Sequence, residues 1–184
     1  FEGSVILFLG RSGSGKSTLV TSFQQRGYDL MGDDAVVLSA GNERPLAKAI
    51  YPSLRLFPDS IEALFSEPRA AQAMAHYSSK QRIDVGGEQE AGPMPVRAIF
   101  VLTGGEAVAV HPLTTHRACM AIVENCFALD PTDRERARLR LERASALATQ
   151  VPLFEIAYPR DYDRLPEVCE AVIAALADEA TVSR

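Results

Sequence analysis

Val5-Ile6-Leu7-Phe8-Leu9-Gly10-Arg11-Ser12-Gly13-Ser14-Gly15-Lys16-Ser17-Thr18 is the stretch on which the reading of the whole chain turns. Its first five residues are a continuous apolar run, the composition of a short strand buried on both faces. From Lys16 to Arg26 the apolar residues Leu19, Val20 and Phe23 fall on one side of a helix, and Gly27 stands where a helix commonly ends. Between strand and helix, Gly10, Gly15, Lys16 and Ser17 fill every fixed position of the G-x-x-x-x-G-K-[ST] phosphate loop. Glycines let the backbone curl until successive N–H groups point inward at an anion. The helix N-terminus adds unpaired donors and a partial positive charge. Lys16 supplies a cation for β and γ phosphates, the Ser17 hydroxyl is placed for magnesium, and Thr18 supports the loop. Gly10, Arg11, Ser12, Gly13, Ser14, Gly15, Lys16, Ser17 and Thr18 are therefore expected to take ATP with Mg2+. A glycine-rich turn with an accidental lysine is the plain alternative, and the flanking strand and helix argue against it.

Sixteen positions beyond Ser17 stand Asp33 and Asp34, inside a strand-like run from Tyr28 to Leu38. A helix of some eleven residues and a tight turn would bring the chain back beside the loop. A carboxylate there can complete a magnesium shell with Ser17, and another can take the proton of an attacking hydroxyl. Neighbouring strand residues point to opposite faces, so both reach one site only through a bend, for which Gly32 is the candidate. By composition alone Gly-Asp-Asp is also a surface turn; the apolar runs on either side speak for the functional reading.

Farther out, residues 46–57 read as extended, and Asp59 as the cap of a short helix carrying Ile61, Leu64 and Phe65. Gly86 to Pro95 has the composition of a surface loop. Val96 to Leu102, Thr103-Gly104-Gly105-Glu106 and Ala107 to Val110 form a hairpin pattern. Thr114 to Phe127 reads as helix. Asp130-Pro131-Thr132-Asp133 opens another, with Ala137, Leu141, Ala144, Leu147 and Ala148 on one stripe. Leu153 to Tyr158 is a strand pattern, and Pro166 to Leu176 a closing helix. The order predicts an α/β or mixed α+β domain with helices over a sheet.

The chain of 184 residues is long enough for one domain with a sizeable core. A net charge of −5 gives no general attraction to nucleic acid or anionic membrane, so neither is expected as a partner. No run approaches the length a membrane span needs, and no signal-peptide pattern opens the sequence. Cys119, Cys126 and Cys169 form no CxxC pair and sit among apolar neighbours, as buried or half-buried thiols of a reducing cytoplasm do. His76, His111 and His116 lack metal-ligand spacing. Lys80, Arg82 and Arg117 could reach phosphate or an acidic peptide, with a solvated charge as the default. The sequence opens without an initiator Met on a strand in progress, so an N-terminal segment is expected to be missing from an otherwise single domain over 1–184.

The stretch Gly10 to Leu38, GRSGSGKSTLVTSFQQRGYDLMGDDAVVL, resembles the nucleotide site of the HPr kinase/phosphorylase family. The likeness lies in the phosphate loop, the short helix, the turn Arg26-Gly27-Tyr28 and the apolar strand running into Asp33-Asp34. Tyr51-Pro52-Ser53-Leu54-Arg55-Leu56 and Tyr158-Pro159-Arg160-Asp161 look like compact bacterial relatives, some of which modify precursor peptides of natural products, lasso peptides among them. The resemblance implies an α/β phosphate-loop domain of the HPr kinase / phosphoenolpyruvate carboxykinase-like type, with a mixed sheet and flanking helices. It implies a serine-directed kinase in which Asp33 is the general base, Ser17 and Asp34 hold magnesium, and Lys16 binds the transferred phosphate. Arg55 is a weaker candidate for phosphate or substrate contact. The partner implied is a peptide or small protein carrying the accepting serine, and a homo-oligomeric assembly stays open. The loop alone also serves a small-molecule kinase or a regulatory ATP-binding module.

Overall fold

The structure is a computed structural model that describes residues 1–50, 54–65, 71–75, 78–83, 92–128, 130 and 132–182, with the backbone alone described at 71–75, 78–83 and 180–182. Three parallel strands form its centre. β1 (Val5–Leu9) pairs with β7 (Met94–Gly104), and β7 pairs with β9 (Leu153–Tyr158). All three are apolar along most of their length, because helices cover both faces of the sheet they build. On one face α1 (Lys16–Gln25) and α5 (Leu165–Val182) pack Leu19, Phe23, Val168, Val172 and Leu176 against Ala98, Phe100, Phe154 and Ile156. On the other, α3 (Thr115–Asn125) and α4 (Arg134–Gln150) pack Ala118, Ile122, Ala144 and Ala148 against Val5, Leu7, Val96, Ile99 and Leu153. Val96 and Ala98 serve opposite faces although two apart, because the β1–β7 register shifts at Arg97.

Antiparallel strands extend this centre into an open mixed sheet of six. β3 (Leu46–Ala49) pairs with the start of β7, β2 (Val36–Ser39) pairs with β3, and β8 (Ala109–Pro112) pairs with β9. The fold is thus α/β with a mixed open sheet and flanking helices, as the element order predicts. A second, three-stranded sheet runs in the order β4 (Leu54–Leu56), β6 (Ser78–Ile83), β5 (Ala71–Ala75), next to α2 (Pro58–Leu64). Among the described residues no helix is long and apolar enough to cross a membrane.

Several expectations are corrected. β7 and β8 are not a hairpin. β9 lies between them, and Gly105 N–H donates to Tyr158 O at 3.2 Å, so the Gly-Gly segment spans a strand instead of closing a two-residue turn. Tyr28 to Leu38 is strand only from Val36, with the aspartates in the irregular segment ahead of it. Phe57, not Asp59, is the N-cap of α2, and Asp59 sits in its first turn. Asp133 caps α4 by accepting from Arg136 N–H at 3.0 Å, while Asp130 ties down Thr132. The apolar stripe of α4 is buried only toward its C-terminal half, and Leu141 is exposed. Cys169 is buried and Cys119 half-buried as expected, whereas Cys126 is exposed. The surface loop expected at 86–95 lies mostly outside the described residues, and Met94 and Pro95 already belong to β7.

Candidate functional site

β1 delivers the chain to Gly10, whose N–H donates to Asn125 Oδ1 at 3.0 Å at the end of α3. Ser14 N–H donates to Arg11 O at 3.1 Å and closes the turn. Gly13 and Gly15 have φ of 76° and 95°, the left-handed region that a side chain disfavours. Gly15 is the N-cap of α1 and offers no side chain to the first turn, so the donors of that turn are left to a ligand or to water. The Lys16 ammonium lies across the loop, donating to Gly10 O at 2.8 Å and Arg11 O at 3.0 Å.

The acidic pair comes back to this loop. Ser17 Oγ donates to both carboxylate oxygens of Asp33, at 3.1 and 2.9 Å. Arg55 N–H, on β4, donates to Asp33 Oδ2 at 3.2 Å, and the Arg55 guanidinium pairs with Asp34 Oδ2. The spacing leaves open which carboxylate joins Ser17 and the family resemblance implies Asp34; the residue found there is Asp33. The bend separating the two carboxylates falls at Asp34, with φ of 68°, and not at Gly32. That turn sends Asp34 outward to Arg55 while Asp33 stays on Ser17. Arg55, the weakest of the sequence candidates, therefore touches both aspartates.

A cleft of about 710 Å³ opens between these parts, within the range of small-molecule and cofactor sites. The phosphate loop and Asp34 line it, and so do Arg55, Phe57, Ser60, Tyr158 and Tyr162. A chain of hydroxyls holds the far wall to the loop helix. Thr18 Oγ1 and Ser60 Oγ are 3.3 Å apart, Ser60 Oγ and Tyr162 OH 3.2 Å, and Tyr162 OH donates to Asp59 Oδ2 at 3.1 Å. Tyr158, at the end of β9, packs beneath the loop with only 6% of its surface exposed. A Cβ added at Gly15 would come within 3.0 Å of its hydroxyl, so the phenol as well as the backbone favours glycine there. Burial pushes the Tyr158 phenol up to about 12.

Among the described residues no three of His, Cys, Asp and Glu gather closely enough to hold a metal by themselves. Ser17 Oγ and the Asp33 carboxylate are nevertheless the hard oxygen donors that magnesium takes beside phosphate oxygens, so the donor set fits that ion. His111 and His116 are exposed on β8 and α3, away from the cleft lining, and His76 lies outside the described residues. Arg117 pairs with Glu155 at 3.1 Å. Lys80 and Arg82 fall on β6, where only the backbone is described.

Asn125, Ser60, Tyr158 and Tyr162 were not singled out as site residues in the sequence. Asn125 meets Gly10 across 115 positions, Ser60 meets Thr18 across 42, Tyr162 meets Ser60 across 102, and Tyr158 lies against Gly15 from the far end of the sequence, none of which local pattern reveals. One signal was available for Tyr158. It ends a strand parallel to β1, and open α/β sheets bind ligands beyond the carboxyl ends of their strands. No family model matches the chain, nor does any curated protein or solved structure.

Proposed function

We propose that the chain is an ATP-dependent serine kinase, transferring the γ-phosphate to a hydroxyl of a peptide or small protein, in the manner of HPr kinase-like enzymes. The observation that carries the reading is the double hydrogen bond from Ser17 Oγ to Asp33, which sets one carboxylate against the phosphate loop while its neighbour Asp34 lines the cleft that the loop opens on. Catalysis of phosphoryl transfer is mostly positioning and charge stabilisation, and this chain holds a group for each part. The loop N–H groups and Lys16 bind the phosphates. Ser17 and Asp33 would hold magnesium, which supplies charge neutralisation to the phosphate oxygens. Asp34, on the cleft wall beside Arg55, takes the proton of the serine hydroxyl as its oxygen bonds to the γ-phosphorus and the bond to the β-phosphate oxygen breaks. Asp33 and Asp34 thus exchange the roles that the family resemblance implies for them.

A regulatory ATP-binding module is the second reading, favoured by the ion pair that already engages Asp34 with Arg55. The two are separated by incubating the protein with magnesium, γ-labelled ATP and a panel of serine peptides, alongside Asp33→Asn and Asp34→Asn variants. The kinase reading expects label on serine, and about 10²- to 10⁴-fold slower transfer in Asp34→Asn with ATP still bound. ATP binding without label on any peptide, or transfer indifferent to Asp34, defeats it.

A further inference from the structure

Two hydroxyls at the phosphate loop, Ser14 Oγ and Tyr158 OH, are sealed from solvent and have no hydrogen-bond partner among the described residues. A buried polar group without a partner is rare and destabilising, so each instance needs a reason. Neighbouring hydroxyls are satisfied: Ser17 on Asp33, Thr21 on Ser17 O at 2.8 Å, Thr18 and Tyr162 through Ser60. The unpaired ones both abut glycines of the loop. Ser14 Oγ stands 2.7 Å from where a Gly10 Cβ would be, and Tyr158 OH 3.0 Å from where a Gly15 Cβ would be.

Position and chemistry limit what can satisfy them. The Tyr158 ring belongs to the core cluster of Phe100, Ile156 and Val168, so its hydroxyl is delivered to the loop from a fixed base. Its raised pKa keeps the proton on oxygen throughout the neutral range, and Ser14 carries a proton as well. Both can therefore donate, and both lie against the glycines that shape the loop. The partner that fits is rich in acceptors and carries no proton to compete: the oxygens of a phosphate chain. Lys16 lies across the same turn. Its ammonium is held by Gly10 O and Arg11 O, the residues that flank the Ser14 turn.

We propose that Tyr158 and Ser14 are phosphate-binding residues, whose hydroxyls donate to the diphosphate portion of a nucleotide as Lys16 passes from the loop carbonyls to the same phosphates. The inference rests on the nucleotide-site reading of the loop and adds to it two donors from outside the motif's fixed positions. One of them comes from the far end of the sequence.

The test is calorimetric titration of the whole chain with ADP and with inorganic pyrophosphate, for the unaltered protein, Tyr158→Phe and Ser14→Ala, together with thermal unfolding of each without ligand. Tyr158→Phe is expected to weaken both ligands about five- to tenfold and to leave the unliganded midpoint unchanged or higher, because it removes an unpaired buried hydroxyl. Ser14→Ala is expected to act in the same direction. Binding by Tyr158→Phe within about twofold of the unaltered protein would overturn the inference while leaving the nucleotide reading intact. A lowered unliganded midpoint in Tyr158→Phe would overturn it too, since the hydroxyl would then be structural. Failure of the unaltered protein to bind either ligand would remove the nucleotide reading and this inference together.

Discussion

The phosphate loop is carried between β1 and α1, whose Leu19 and Phe23 enter the same core as Phe100, Ile156 and Val172, whereas Arg55 is carried by β4 over a core in which, among the described residues, Leu54 and Leu56 are the buried members. The first wall of the cleft is supported by helices on both faces of a six-stranded sheet. The second rests on a three-stranded sheet, on the short α2, and on single polar links such as Thr18 to Ser60. Local stability follows the amount of apolar surface buried locally. The wall that carries the glycine loop is thus the wall that is expensive to deform. Among the described residues the wall that carries Arg55 buries less apolar surface, and it is the wall expected to shift at lower free-energy cost.

That contrast breaks most readily in the cores. Phe100→Ala should lower the free energy of unfolding by about 3–5 kcal/mol, seen as a single denaturation transition shifted to lower denaturant, with β1, β7 and the glycine loop losing hydrogen-exchange protection together. Leu54→Ala should cost near the low end of such changes, about 2 kcal/mol, and hydrogen exchange should show it at β4 while β1 and β7 stay protected. Equal loss of protection in both sheets would mean that the two walls are one cooperative unit.

A second test uses pH. The folded-state pKa of Tyr158, about 12, lies above the ordinary phenol value of about 10. Below pH 10 the phenol is neutral folded and unfolded alike, and its contribution to stability is fully present. Between pH 10 and 12 the unfolded chain ionises first, so stability falls with rising pH, by about 2–3 kcal/mol from this group. Denaturant midpoints should decline more steeply across that window in the unaltered protein than in Tyr158→Phe; parallel declines would place the phenol in a softer environment than the fold implies. The smallest effect is expected at the adaptable wall. Arg55→Gln should change global stability by less than about 1 kcal/mol, because the pair with Asp34 is partly exposed. It should instead raise the concentration of peptide acceptor needed for half-maximal transfer, and a change confined to ATP affinity would assign Arg55 to the nucleotide.

Where local pattern governs, the sequence was readable. Val5 to Leu9, the glycine loop and the helix after it are each dictated by near neighbours, and Leu153 to Tyr158 is a strand over the expected residues. The return of the acidic pair to Ser17 was also readable, because helix and turn lengths fix where the chain must come back. Which aspartate would meet Ser17 was not, since that depends on one backbone angle at Asp34. The Gly104-Gly105 segment misled for a related reason. It carries the composition of a tight turn, but the preference of β9 for the central position is set by apolar burial against α1 and α5 on one face and α3 and α4 on the other, none of it local. Tyr162, Ser60 and Asn125 reach the site through tertiary contacts that no window of neighbouring residues contains.

The insertion of β9 between β7 and β8 also imposes a timetable. During synthesis β8 leaves the ribosome some forty residues before the strand it pairs with, so its ladder partners are not yet in existence when it emerges. The sheet closes, and Tyr158 arrives under the phosphate loop, only after α3 and α4 have been made. A nascent chain stopped before Leu153 holds the complete glycine-loop motif without the floor on which the loop is seated, so the loop gains that support only once β9 has been made.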